Sequence, residues 1–365
     1  MSSRLAYVDA LRGFAILGVI IAHAGSIAGL DGRFGMLAGF AGMGVQLFFV
    51  ISAFTIFLTF ARASSSESRP VGNFFIRRLF RIVPIYWTGI LLYTFIYGLE
   101  SRGWRPGPEL WHYMLHLTLT NVLHPETSSS VVPGGWSISV EVLFYFTMPI
   151  WFFLVGSVRS AALFTVAAMF VAMAGIPIIR TIIDPVLAYD NLDEYWTRSF
   201  LSQLPCFGFG FILYFLTVSP SNPLRLLGRP IPNACVLAAA PIAFVTGYKL
   251  ALPLHYVVCL ASLMVGAALS QMPWRILVNQ ITTFVGRVSY SAYLLHFLVL
   301  QQLSEHTHSL GTLPRFLILL TLGTVITIPI AYLSYRAVEI PCTSLAKRVI
   351  LNRERHAAHR KLVSA

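Results

Sequence analysis

The sequence predicts an all-α fold, a polytopic bundle of about ten membrane-spanning helices. Three observations predict it. Of the 365 residues, 56% are hydrophobic and only 11% are charged, about half the charged fraction usual in a soluble domain. Mean hydropathy is +0.73, and long apolar stretches recur along the whole chain rather than at one end. Runs such as Phe14-Ala15-Ile16-Leu17-Gly18-Val19-Ile20-Ile21-Ala22 do not alternate apolar with polar residues. Alternation would mark the strands of a lipid-facing barrel, whereas helices satisfy their backbone groups internally in lipid.

The apolar stretches place spans near residues 10–30, 40–61, 80–98, 136–156, 160–180, 199–217, 233–249, 252–270, 284–303 and 314–336. The eighth is short and the seventh carries Pro241. Leu110–Val122 is apolar but short, and it contains His112 and His116. It reads as an interfacial or re-entrant segment. Residues 1–340 form one transmembrane domain, followed by a basic tail over 341–365.

Charge sets the expected orientation. Arg62, Arg69, Arg77, Arg78, Arg81, Arg159, Arg225, Arg229, Arg275 and Arg287 collect on one side of the ten-span partition. Lys347, Arg348, Arg353, Arg355, Arg360 and Lys361 join them. Glu100, Glu109, Asp184, Asp190, Asp193, Glu194 and Glu305 fall on the other. The positive-inside rule then puts both termini in the cytoplasm. An eleventh span at 110–122 would invert every later loop and break that agreement.

The net charge of +12 is accounted for by cytoplasmic loops, and nucleic acid is not an expected partner; the lipid bilayer is. The four cysteines, Cys206, Cys235, Cys259 and Cys342, are isolated, with no metal-binding spacing and no disulfide framework. Arg4, the first apolar run and Ala22-His23-Ala24 imitate a cleavable signal peptide. Arg12 near the start of the run argues against cleavage. The Ser-rich loop Ala63–Ser68 reads as flexible. One half of the chain shows no visible repeat in the other, unlike some transporters.

Ionisable groups inside spans are costly and tend to be functional. Arg12 and His23 stand eleven residues apart on the first span, three turns with roughly 20° left over. They share a helical face, about 16 Å apart along the axis. The alternative is that Arg12 snorkels to the headgroups and His23 is a hydrogen-bonded packing residue. Arg77, Arg78 and Arg81 open the third span within Phe75-Ile76-Arg77-Arg78-Leu79-Phe80-Arg81. Their spacing lets them share a face, and guanidinium groups match phosphate oxygens in bidentate geometry. An ordinary positive-inside anchor would look the same.

Trp136 and Ser137 begin the fourth span, and Glu141 lies about 7 Å deeper. A carboxylate at that depth needs a partner, which a buried cation would also supply. Tyr293-Leu294-Leu295-His296 falls on the ninth span. Ser52 on the second is a possible nucleophile, although a serine in a span more often bonds its own helix carbonyl.

Taken in order, Tyr7-Val8-Asp9-Ala10-Leu11-Arg12-Gly13, His23, Gly44 to Phe54, the Arg77–Tyr86 cluster, Trp136-Ser137 with Glu141, and Tyr293 to His296 resemble the acyltransferase-3 family of membrane O-acyltransferases. The resemblance runs from residue 7 to about 340. It implies transfer of an acetyl or other short acyl group from cytoplasmic acyl-CoA, a co-substrate rather than a bound cofactor, to a carbohydrate or lipid-linked glycan. Such O-acetylation modifies polysaccharides at the plasma (inner) membrane. The resemblance makes Arg12 and His23 essential. The expected roles are His23 as general base, with Arg12 and Glu141 catalytic beside it. Arg77, Arg78, Arg81, Ser52, Trp136, Ser137, Tyr293 and His296 are expected to bind substrate. One departure is Ala53, where the family pattern more usually has glycine; it is expected to tighten helix packing. With no soluble esterase-like stretch visible in the sequence, the chain is expected to acylate its acceptor itself or to hand over to a separate partner. The competing reading is a transporter or flippase for a glycan or anionic substrate, which would also place charges inside its bundle.

Overall fold

The computed structural model describes residues 5–101, 107–187, 189, 192–218, 224, 228–250 and 252–364. Asp190 and Arg225 of the charge partition lie outside the described residues. Among those described, every regular element is helical. The first half of the chain forms α1 (Ala6–Ala28), α2 (Gly32–Ala41), α3 (Gly44–Ser66), α4 (Pro70–Tyr97), α5 (Leu110–Leu117) and α6 (Gly135–Leu154). Then come α7 (Val158–Phe170), a π-helical turn, α8 (Ile176–Leu187), α9 (Asp193–Arg198), α10 (Phe200–Val218), α11 (Pro230–Lys249) and α12 (Leu254–Gln271). The chain closes with α13 (Gln280–Arg287), α14 (Ser289–Glu305), α15 (Thr312–Ser334) and α16 (Ile340–Ser364).

Local chemistry sets several of these boundaries. α1 stops at Gly29, whose left-handed φ of 75° lets its N–H cap the Gly25 and Ser26 carbonyls. α4 starts on Pro70, which has no N–H to leave unsatisfied. Ser157 and Ser160 cap the start of α7 reciprocally.

Nine helices among the described residues are long and apolar enough to cross a membrane, and the pair α13–α14 makes a tenth. The protein is therefore a multi-pass membrane protein, with the span count that the sequence predicts. The ninth span, placed near 284–303 by the sequence, is broken by 77° between Arg287 and Ser289. The reason is packing against α1. A side chain at Gly286 would overlap the Asp9 carbonyl, and one at Gly13 would overlap the Thr282 carbonyl. The two small residues let α13 lie against the start of α1, as small residues do between membrane helices.

α1 is the centre of the bundle, in contact with α2, α3, α13, α14 and α15. A second core of aromatic rings joins α3, α6 and α10, with Phe144 stacked on Phe207 at 4.0 Å between centroids. Ala53, the departure from the family pattern, is fully buried. It meets α10 at Gly210, where a side chain would collide with it. The methyl group thus occupies space that Gly210 leaves. Exposed apolar side chains such as Leu163, Phe170 and Val325 line the outside, as lipid-facing residues should.

Two segments leave the bundle pattern. α5 is eight residues long, too short to span, and the stretch after it caps the bundle. His116 bonds the Tyr86 hydroxyl and the Thr127 carbonyl, each at 2.8 Å. The basic tail is helical. α15 runs through a π-helical turn into α16, whose Glu354 accepts the Ser68 N–H at 2.9 Å and the Asn73 amide at 2.7 Å. The tail is thereby docked on the start of α4.

Orientation is directly testable. In a cysteine-free background, Ser66→Cys should label with a membrane-impermeant maleimide only from the cytoplasmic side, and Ser309→Cys only from the opposite side. Labelling of both from one side would overturn the ten-span arrangement.

Candidate active site

Three cavities follow one another through the bundle. The largest, about 1880 Å³ and open, lies where α1 begins, α3 ends and α16 begins. Arg12, Arg62, Arg78, Arg81, Arg287 and Lys347 line it, against two carboxylates, Asp9 and Glu339. Six cations against two anions give this cavity a marked excess of positive charge. Arg12 donates to Asp9 Oδ1 at 3.3 Å and to Thr55 Oγ1 at 3.2 Å. The Arg78 guanidinium lies over the Phe74 and Tyr145 rings, 5.6 and 5.5 Å from their centroids, and reaches Thr59 Oγ1 at 3.3 Å. Ring stacking of this kind holds a guanidinium while leaving its edge available.

The second cavity, about 660 Å³, shares Arg12, Thr55, Arg78, Arg81, Ser289 and Tyr290 with the first. It adds Ser52, Ser137, Glu141 and Tyr293. The Ser52 hydroxyl donates to the Glu141 carboxylate. Glu141 is therefore placed with Ser52 and the arginines, in a site whose cations balance its charge.

The third cavity, about 630 Å³, shares Val45 and Tyr293 with the second. His23 opens into it, with Gly134, Trp136, Arg198 and Phe297 around it. Arg198 stacks on Trp136 at 5.3 Å and pairs with Glu194 at 2.5 Å. The His23 ring is held between Phe297, 4.1 Å away between centroids, and His296, whose Nε2 lies 3.2 Å from His23 Nδ1. Tyr293 forms part of the wall between the two cavities. Its hydroxyl donates to the Gly134 carbonyl at 3.0 Å and sits 2.8 Å from Ser137 Oγ. Gly134 adopts φ 76°, open to glycine at no steric cost, and a Cβ there would stand 3.0 Å from the Tyr293 hydroxyl.

The structure thus gathers Arg12, Arg78, Arg81, Ser52, Ser137, Glu141 and Tyr293 around the central cavity, and His23 and Trp136 around the third. Arg77 departs from the face expected for it. It pairs with Glu67 at 2.7 Å and lines none of the three cavities. His296 is fully buried behind His23 rather than on a cavity wall. Asp9, Thr55, Arg198 and Phe297 are among the lining or pairing residues that were missed. Asp9 stands three residues before Arg12, a spacing that pairs opposite charges on a helix. Thr55 stands three after Ser52, on the same face. Arg198 and Phe297 carried no sequence signal, because only the tertiary fold brings them to His23.

Fold and cavities define a membrane protein with an arginine-rich cavity at one end of the series and His23 beside a cavity at the other. The family profile for the acyltransferase-3 domain, described as an acyltransferase domain, matches residues 5–336, and this chain belongs to that family. It is also 27% identical over 175 residues to acyltransferase MdmB of Streptomyces mycarofaciens. That match covers 45% of this chain and 43% of the relative, less than half of its length. No solved structure matches.

Gly134 tests the wall. Gly134→Ala forces a side chain into a left-handed backbone, which costs about 1–2 kcal/mol. The variant should melt at a lower temperature in detergent than Gly156→Ala, where a Cβ meets nothing within 4 Å. Equal melting temperatures would show that the Gly134 turn does not constrain the site.

Proposed function

We propose that this protein transfers an acyl group, an acetyl group in the simplest case, from cytoplasmic acyl-CoA to a hydroxyl of a carbohydrate or glycoconjugate. The observation that carries this reading is the series of three cavities linked by shared lining residues. A polyanionic nucleotide suits the six-cation mouth. Its pantetheine arm would pass Ser52, Glu141 and Tyr293. The spacing of Arg12 and His23, about 16 Å along α1, is comparable to the reach of that arm. The acceptor would enter the third cavity, where Trp136 and Phe297 offer aromatic walls. The carbohydrate identity of the acceptor rests on family analogy.

The proposed chemistry uses one base. His23 takes the proton of the acceptor hydroxyl as its oxygen attacks the thioester carbonyl. The carbon–sulfur bond breaks, an ester forms, and the proton is returned to the departing thiolate. Glu141, placed beside Ser52 and the arginines, serves the pantetheine arm rather than the base. Arg78 and Arg81 are the phosphate ligands; Arg77, held by Glu67, is an anchor.

Two sets of variants test this reading. Arg78→Ala and Arg81→Ala should each weaken acyl-CoA binding about tenfold or more, as loss of a charge-assisted bidentate contact does. Arg78→Lys should recover part of it, and Arg77→Ala should bind close to native. Unchanged affinity in Arg78→Ala and Arg81→Ala would return the cluster to a topological role. His23→Gln keeps size and polarity but cannot act as a base. It should lose about a hundredfold or more in turnover while still binding acyl-CoA. In the native protein the rate should fall as pH is lowered, because a protonated imidazole cannot accept the acceptor's proton. Labelled acetyl-CoA supplied to the protein in proteoliposomes with membrane glycans should be consumed. If it is not, or if His23→Gln turns over at the native rate, the assignment fails.

A further inference from the structure

The two histidines of α1 and α14 form a chain in which the place of each hydrogen follows from its partner. His296 Nδ1 stands 2.6 Å from the Tyr293 carbonyl oxygen. A carbonyl only accepts, so Nδ1 carries the hydrogen. A neutral imidazole has one N–H, so His296 Nε2 presents a lone pair. That lone pair meets His23 Nδ1 at 3.2 Å, and His23 Nδ1 must be the donor. The remaining ring nitrogen, His23 Nε2, then carries the lone pair of the neutral ring. The reverse tautomer of His23 would set two lone pairs against each other.

We infer that His296 is a positioning residue that holds His23 in the tautomer whose Nε2 is basic. The inference rests on the reading of His23 as general base and adds the group that makes it one. His296 is fully buried and His23 opens into the third cavity, so His296 stands behind the base and away from substrate. Helix geometry explains how it stays there. Its ring folds back over the carbonyl three residues earlier, on its own helix, and Phe297 closes the other side of His23.

The proton balance is simple. When His23 Nε2 takes the acceptor's proton, the imidazolium keeps its Nδ1–H bond to His296. That bond becomes charge-assisted and stronger. His296 gains no proton, since its Nδ1–H stays on the Tyr293 carbonyl. The proton on His23 Nε2 leaves to the thiolate. A carboxylate would orient the ring as well, but it would add a permanent charge where intramembrane charge is expensive. A neutral imidazole orients without that cost.

Nitrogen-15 NMR of histidine-labelled protein in nanodiscs tests this directly. The His23 resonances are assigned by their loss in His23→Gln. The native protein should show His23 protonated at Nδ1 and unprotonated at Nε2. His296→Gln sets an amide oxygen near the position of Nε2 as an acceptor. It should keep that tautomer and hold turnover within about fivefold of native, because the base itself remains. His296→Phe fills the space but accepts nothing. It should lower kcat about tenfold or more, from loss of the reactive tautomer, with the KM for acyl-CoA unchanged. A native His23 protonated at Nε2, or a fully active His296→Phe, overturns the inference. If His296→Phe fails to fold, the native spectrum decides alone. Native turnover in His23→Gln would instead overturn the base assignment, which separates the two failures.

Discussion

The guanidinium of Arg12 sits on a membrane-spanning helix, where a charge without partners costs several kcal/mol. Its nearest partners are Asp9 on its own helix and Thr55 on α3. It opens onto the same cavity as Arg78, Arg81 and Glu141. Its bonds tie α1 to α3, and Arg78 and Arg81 of α4 and Glu141 of α6 face the same cavity. Glu141 then requires a donor, which Ser52 supplies. Arg78 requires a surface, which Phe74 and Tyr145 supply. The polar path through the bundle follows from satisfying these groups in turn.

The His23 end obeys a different rule. It holds histidines and hydroxyls, with Arg198 already paired to Glu194. Neutral groups that hydrogen-bond one another are cheaper in a membrane than charges. They also keep their order: the Tyr293 carbonyl orients His296, and His296 orients His23. The Tyr293 hydroxyl meanwhile ties α14 to the Gly134 turn at the start of α6. One residue thus supports both the histidine pair and the wall of the cavity beside it.

Much of this was legible in the chain, and the remainder has physical reasons. Apolar runs locate the spans, because a span needs about 20 predominantly apolar residues. Eleven residues between Arg12 and His23 place both on one face, because helical geometry is regular. The break at Val288 was not legible. It depends on Gly286 and Gly13 meeting backbone carbonyls of the other helix, a contact between residues hundreds of positions apart. Arg77 and Arg78 are adjacent and chemically identical, yet one pairs with Glu67 and the other stacks on two rings. Spacing alone cannot tell them apart. Nor can it tell that His296, rather than Glu141, stands behind His23. That choice is made by the turn of α14 toward α1.

If His23 is the base, the thioester must reach it from the basic mouth. A cryo-electron microscopy structure with an acetyl-CoA analogue, in which a methylene replaces the sulfur, measures this most directly. The nucleotide phosphates should lie at Arg78 and Arg81, the pantetheine arm past Ser52 and Tyr293, and the acyl carbonyl beside His23. An analogue bound with its acyl carbonyl still in the basic mouth, beside Arg287 and Lys347, would contradict it.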